Sequence, residues 1–183
     1  MNQFRSVLVG LAGASLMVAM GAVPSAAATP LPLACATGNQ NATFTPGIVL
    51  TPRTVAVGGS GQLSTCITTD GTNIVTGAFD VSGGGTASCL AASLPTTNTV
   101  TWTTAGGATY TSVIAFSSGV DLKPLGTSVV VLTGTVTSGL YAGRTVEKTI
   151  ILVGSSLASV AECLNTTGPG ITAGGGPIQL AVL

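Results

Sequence analysis

The sequence predicts an all-β domain, either an antiparallel β-sandwich of the Ig-like or Greek-key kind or a closed β-barrel, cross-linked by two disulfides. Short runs rich in Val, Ile and Thr are separated by Gly-rich or Asp-Gly turns at a spacing of about 8–12 residues. Thr is the commonest residue after position 28, and its β-branched side chain favours pleated, half-buried surfaces. Disorder is not expected, because the apolar residues recur in periodic runs.

The N-terminus has the pattern of a secretory signal peptide. Arg5 precedes an uncharged apolar run over residues 6–23, and the small residues Ala26 to Ala28 follow it. We therefore expect cleavage after Ala28, a signal peptide of residues 1–28, and one secreted β domain of residues 29–183. A retained N-terminal anchor helix is the alternative interpretation.

The first half of the domain is predicted to contain short strands that end at turn residues. Pro46-Gly47 is expected to form a bulge or bend, and Gly58-Gly59, Asp70-Gly71 and Gly83 to Gly85 are expected to be turns. The predicted strands are 42–50, 54–57, 62–68, 73–81, 86–91 and 97–103.

The second half is predicted to contain fewer and longer strands, followed by a Gly-rich loop over residues 169–177 and a closing strand. Because these segments follow one another closely, antiparallel hairpins are favoured over crossovers. The predicted strands are 108–116, 127–137, 145–153, a short piece near 160–164, and 178–183.

Four cysteines, Cys35, Cys66, Cys89 and Cys163, all follow the predicted signal peptide. An even count in an exported chain predicts two disulfides, and four cysteines allow three connectivities. We favour Cys35–Cys66 with Cys89–Cys163, since this pairing joins each terminal segment to the middle of the chain. A metal site is not expected, because the chain has neither His nor a CxxC pair.

Charged residues make up only 5% of the chain, and His is absent. The lack of His excludes Ser-His-Asp and Cys-His catalysis, and the few scattered Lys and Arg argue against nucleic-acid binding. No cofactor motif is present. Paired carboxylates are the one catalytic option left, with Asp80, Asp121 and Glu147 as candidates, although Glu147 and Lys148 point to opposite faces of a strand.

Three aromatic residues are candidate ligand contacts, because β-sheet binding modules stack sugars on exposed rings. Trp102 shares strand parity with Val100, so we expect it to face the core. Tyr110 and Tyr141 lie next to predicted turns, where their rings can be exposed.

Several short motifs follow the predicted signal peptide. They are the early Cys35, Phe44-Thr-Pro-Gly47, Leu63-Ser-Thr-Cys66, Ser88-Cys89-Leu90, Thr99-Val-Thr-Trp102 and residues 137–143. In these motifs the chain resembles a group of small exported actinobacterial proteins of unassigned function. The resemblance implies a secreted all-β domain and transfers no catalytic residue. The chain is also loosely similar to the enediyne-carrying apoproteins, but those keep close Cys pairs whereas these four Cys are widely spaced.

We therefore expect a non-enzymatic extracellular domain that acts by surface contact with the cell envelope, with polysaccharide or with copies of itself. The near-zero net charge motivates this hypothesis, because it offers little repulsion between molecules. A carrier of a small apolar ligand is the alternative. A glycoside hydrolase and a protease inhibitor are further hypotheses.

Overall fold

The computed structural model describes residues 31–89, 92–117, 128–152, 162–163 and 168–183, in which the chain forms nine β-strands. The predicted signal peptide of residues 1–28 and the candidate acid Asp121 lie outside the described residues. The strands are β1 (Leu33–Ile48), β2 (Arg53–Thr68), β3 (Ile74–Ala87), β4 (Ala92–Ser93), β5 (Thr96–Thr104), β6 (Thr109–Ser117), β7 (Ser128–Gly139), β8 (Thr145–Leu152) and β9 (Ile171–Val182).

Eight of these strands close into an antiparallel β-barrel. Around the barrel the order is β1, β2, β3, β5, β6, β7, β8 and β9, and β9 pairs with β1 to complete the circle. The two-residue strand β4 pairs only with the end of β3. Neighbours in the sheet are therefore neighbours in the chain, so the closed-barrel prediction is confirmed and the chain does not adopt the sandwich with Greek-key order. Closure leaves no long edge strand unpaired.

The glycine runs that the sequence predicts as turns or loops lie inside strands, so those turn predictions are wrong. Gly58 and Gly59 pair with β1 and β3, and Gly83 to Gly85 pair with β2. The predicted loop over residues 169–177 is largely strand, with Gly174 to Gly176 paired to β1. The bend predicted at Pro46-Gly47 is confirmed, since the β1–β9 register shifts between Thr43 and Ile48.

Aromatic rings fill the barrel interior opposite glycines on neighbouring strands. Each of three glycines is the direct register partner of an aromatic residue, and a Cβ atom on any of them would clash with the partner ring. An eight-stranded barrel has an interior just wide enough to be filled by side chains, so a large ring requires a small partner. The pairs are Gly61 with Phe79, Gly77 with Trp102, and Gly134 with Phe116.

Two disulfides, with the predicted connectivity, tie the strands together. Cys35 and Cys66 are direct register partners on β1 and β2. Cys89, just after β3, bonds to Cys163, 74 residues later in the chain. The described residues contain no free cysteine, which agrees with a protein that folds in an oxidising space.

Candidate functional site

A polar surface covers the outside of β1, β2, β3 and β5, and we call it the polar wall. It consists of two rows of outward-facing residues that run across the strands. Within each row, successive residues are direct register partners, so they stand about 4.8 Å apart. The first row is Asn41, Ser60, Asp80 and Thr99, and the second is Asn39, Gln62, Ala78 and Thr101.

The polar wall contains an open concavity of about 460 Å³. All eight residues of the two rows line it, and Gly61 and Phe79 contribute to its floor. Ala78 is the one residue of the two rows without a polar side chain, and its small methyl group leaves room between Gln62 and Thr101. The concavity therefore offers amide, hydroxyl and carboxylate groups to a ligand outside the barrel.

Asp80 and Glu147 lie on opposite walls of the barrel. Both carboxylates are exposed, but β3 and β8 are separated by three strands in either direction. These two acids therefore do not form the facing carboxylate pair that glycoside hydrolysis requires. Asp80 makes no hydrogen bond or ion pair with any described residue, so its charge is available to a ligand.

The barrel interior holds a buried lysine that no acid of the described residues neutralises. Lys148 is 1% exposed, and its Nζ atom donates a hydrogen bond to Oε1 of Gln40 at 2.9 Å. The same atom lies 5.3 Å from the ring centre of Phe79 and 4.6 Å from that of Phe116. No Asp or Glu among the described residues is buried. Burial lowers the pKa of Lys148 from 10.5 to about 7.

Asn98 adds an unpaired amide to the same part of the interior. It stands on β5, between the strands that carry the two rings, and its register partners are Val81 and Ile114. Val81 is two residues from Phe79 on β3, and Ile114 is two residues from Phe116 on β6. Asn98 therefore lies near the level of these two rings. Its side chain is fully buried, and both its polar atoms lack a hydrogen-bond partner within the described part of the chain.

The structure brings the three candidate aromatic residues to one end of the barrel, which we call the tyrosine end. Tyr110 is the register partner of Trp102 and is 44% exposed at the rim. Trp102 lies below it, fully buried, as its parity with Val100 predicts. The indole nitrogen donates to Oγ of Ser112 at 2.9 Å. Trp102 is therefore a core residue and is not accessible to a surface ligand.

Tyr141 spans the tyrosine end from the β7–β8 turn to the β2–β3 turn. Its hydroxyl lies 3.1 Å from Oγ1 of Thr72, which in turn donates to Asp70 at 2.7 Å. Burial, together with nearby Asp70, raises the pKa of Tyr141 to about 12. Burial also acts to raise the pKa of Asp70, but hydrogen bonds from Thr72 and Tyr141 outweigh it and lower that pKa. The half-buried Tyr141 therefore links the β7–β8 turn to the β2–β3 turn at this end of the barrel.

The interior polar residues and the polar wall were not predicted from the sequence. A signal for Lys148 was present, because it shares strand parity with Val146 and Ile150, which predicts an inward side chain. The expected opposite orientation of Glu147 and Lys148 is confirmed. The polar wall had no sequence signal, since its two rows depend on the register between neighbouring strands, which the alternation within one strand does not specify.

No family model, curated protein sequence or solved structure matches the chain. The described residues contain no group of three or more His, Cys, Asp or Glu side chains placed to hold a metal ion. Within the same residues, no helix has the length and apolar character to cross a membrane.

Proposed function

We propose that this protein is a secreted, non-enzymatic domain that acts by surface contact, and that its polar wall binds polysaccharide. The observation that carries the proposal is the concavity of about 460 Å³ lined by the two polar rows. Ligand sites of this volume are common in proteins, and their few polar groups fix the orientation of the ligand.

The chemistry of the wall matches that of a sugar chain. Amides both donate and accept hydrogen bonds, as do the hydroxyls of Ser60, Thr99 and Thr101, while Asp80 accepts them. The spacing of about 4.8 Å between strands is close to the length of one pyranose unit in an extended β-linked chain. A polysaccharide that runs across the strands can therefore place successive sugars against successive strands.

The non-enzymatic part of the proposal rests on the scarcity of proton-transfer groups. The chain has no His, and the exposed acids Asp80 and Glu147 are on opposite walls. The amine of Lys148 is buried in the interior, whereas the eight side chains of the two rows are exposed on the outer face of the sheet. Exported proteins commonly carry disulfides, which supports the extracellular setting.

Two matched double variants test the polysaccharide proposal. Thr99→Ala with Thr101→Ala removes two hydroxyls from the polar wall. Thr133→Ala with Thr135→Ala removes two exposed hydroxyls at the same spacing from β7, on the other side of the barrel. Binding of each purified variant to a panel of insoluble and immobilised polysaccharides is measured against the wild type.

We expect the wall variant to bind about tenfold more weakly, since each hydrogen bond contributes about 0.5–1.5 kcal/mol. The β7 variant is expected to bind like the wild type. Equal loss in both variants, or no binding of any polysaccharide by the wild type, would contradict the proposal.

Self-association is a second candidate, because β7 presents two exposed valines. Val129 is 45% exposed and Val131 is 47% exposed, and Ile151 on β8 is the register partner of Val129. The expected result is a concentration-dependent sedimentation coefficient that Val131→Thr reduces. A monomer at all concentrations would exclude this candidate.

The carrier alternative has less structural support. The concavity is polar and lies outside the barrel, whereas a carrier of an apolar ligand needs an apolar cleft. Side chains such as those of Trp102, Phe79 and Phe116 occupy the described barrel interior.

A further inference from the structure

Among the described residues that line the concavity of the polar wall, Asp80 is the only one with an ionisable side chain. It stands in the middle of the first row, between Ser60 on β2 and Thr99 on β5. No described Lys or Arg forms an ion pair with it. The wall therefore presents one unneutralised negative charge among groups that are otherwise neutral.

The space for a ligand above Ala78 lies directly beside the Asp80 carboxylate. Ala78 precedes Asp80 by two residues on β3, so both side chains point outward and are neighbours on one face of the sheet. The methyl group of Ala78 can lie under the apolar face of a sugar ring. A substituent at the edge of that ring would then meet the carboxylate of Asp80.

The contribution of the Asp80 carboxylate to binding differs between neutral and charged sugars. The hydroxyl of a neutral sugar can donate one hydrogen bond to the carboxylate. A sugar ammonium group donates a charge-assisted hydrogen bond and neutralises the carboxylate as well. An anionic sugar would be repelled, because the described lining residues include no Lys or Arg to balance its charge.

We propose that the polar wall selects glycans with free amino groups, that is, chains of N-deacetylated hexosamine, with Asp80 pairing the sugar ammonium. This inference rests on the proposed polysaccharide-binding function and assigns it a substrate class. The ion pair is exposed to solvent, so the expected selectivity is moderate and decreases as ionic strength rises.

The test compares two glucosamine oligomers of equal length, one fully N-acetylated and one fully deacetylated, at a pH where the free amine is protonated. Binding is measured for the wild type, Asp80→Asn and Glu147→Gln. The last is the matched control, because it removes an exposed strand carboxylate from the opposite wall. We expect the wild type and Glu147→Gln to prefer the deacetylated oligomer by about two- to fivefold. Asp80→Asn is expected to bind both oligomers equally.

Three other results would overturn the inference, and they separate it from the proposed function. Equal binding of both oligomers by the wild type, with weaker binding by the Thr99→Ala, Thr101→Ala variant, would leave a glycan-binding wall without amine selectivity. Failure of the wild type to bind any glycan would remove the proposed function as well. An oligolysine peptide that binds more tightly than the deacetylated oligomer, and depends on Asp80, would identify a basic peptide as the partner.

Discussion

The Nζ atom of Lys148 and the Oε1 atom of Gln40 are 2.9 Å apart inside a barrel whose described interior contains no acid. The pair joins β8 to β1 across β9, between the rings of Phe79 and Phe116. Removing a cation from water is costly, and one hydrogen bond to a neutral amide together with two ring faces offsets only part of that cost.

Replacing the pair by apolar side chains of similar length should stabilise the barrel. We expect Gln40→Leu with Lys148→Met to raise the free energy of unfolding by about 1–4 kcal/mol at neutral pH. Gln40→Leu alone should lower it by about 1–3 kcal/mol, because the amine then has no acceptor. Chemical denaturation measures both values. A double variant less stable than the wild type would show that the pair itself is stabilising.

The depressed pKa of Lys148 predicts that stability rises with pH. The unfolded chain holds this proton up to about pH 10.5, whereas the folded chain releases it near pH 7. The free-energy cost of burying the charged amine is therefore complete below about pH 7. It decreases as the pH rises toward 10.5, by about 1.4 kcal/mol per pH unit. Tyr141 acts in the opposite direction above about pH 10, since its pKa is raised from 10.0 to about 12.

The measurement is the free energy of unfolding at several pH values between about 7 and 10. The Gln40→Leu, Lys148→Met variant serves as the control, and its profile should lack the rise attributed to Lys148. If the wild type and this variant show the same slope, Lys148 is not the group responsible.

Glycines opposite rings are predicted to be intolerant of a methyl group. In Gly77→Ala the new Cβ would lie 2.8 Å from Cε3 of Trp102, and we expect a loss of about 1–3 kcal/mol from overpacking. Gly106→Ala is the control, because its Cβ would meet nothing closer than 3.9 Å. Thermal unfolding of both variants checks the prediction, and equal melting temperatures would contradict it.

Ser112 connects the buried indole to the turn that closes the tyrosine end. Its hydroxyl accepts from Nε1 of Trp102 at 2.9 Å and donates to the Leu140 carbonyl at 2.6 Å. Ser112→Ala removes this partner from the buried indole N–H and from the partly buried Leu140 carbonyl, so we expect a loss of about 2 kcal/mol. We also expect a shift in the emission of Trp102, which is the only tryptophan in the chain.

Ser117→Ala provides the comparison for that experiment. Ser117 lies on the same strand, but it is exposed and donates to the Thr133 carbonyl at 3.2 Å. Its replacement should change stability by less than about 0.5 kcal/mol and leave the emission unchanged. Similar effects of the two substitutions would argue against a special role for the bond between Ser112 and Trp102.

Local strand parity could be read correctly from the sequence, because alternation along a strand depends on neighbouring residues only. It placed Trp102 inside with Val100, and it put Glu147 and Lys148 on opposite faces. Whether the glycine runs form turns or strands could not be predicted from neighbouring residues. Glycine is the usual residue of turns, yet Gly58, Gly59 and Gly83 to Gly85 continue strands because partners on adjacent strands pair with them.

The amino-acid sequence alone was sufficient to predict the all-β class, the strand parity and the cysteines available for pairing. Composition and local periodicity are enough for those features, since each depends on residues close together in the chain. The three-dimensional structure was needed to distinguish a barrel from a sandwich, to locate the amine of Lys148 beside Gln40, and to align the polar wall across four strands. The first two features depend on β9 pairing with both β1 and β8, and the wall depends on the register between neighbouring strands. Local sequence patterns specify neither, because the paired residues are separated along the chain.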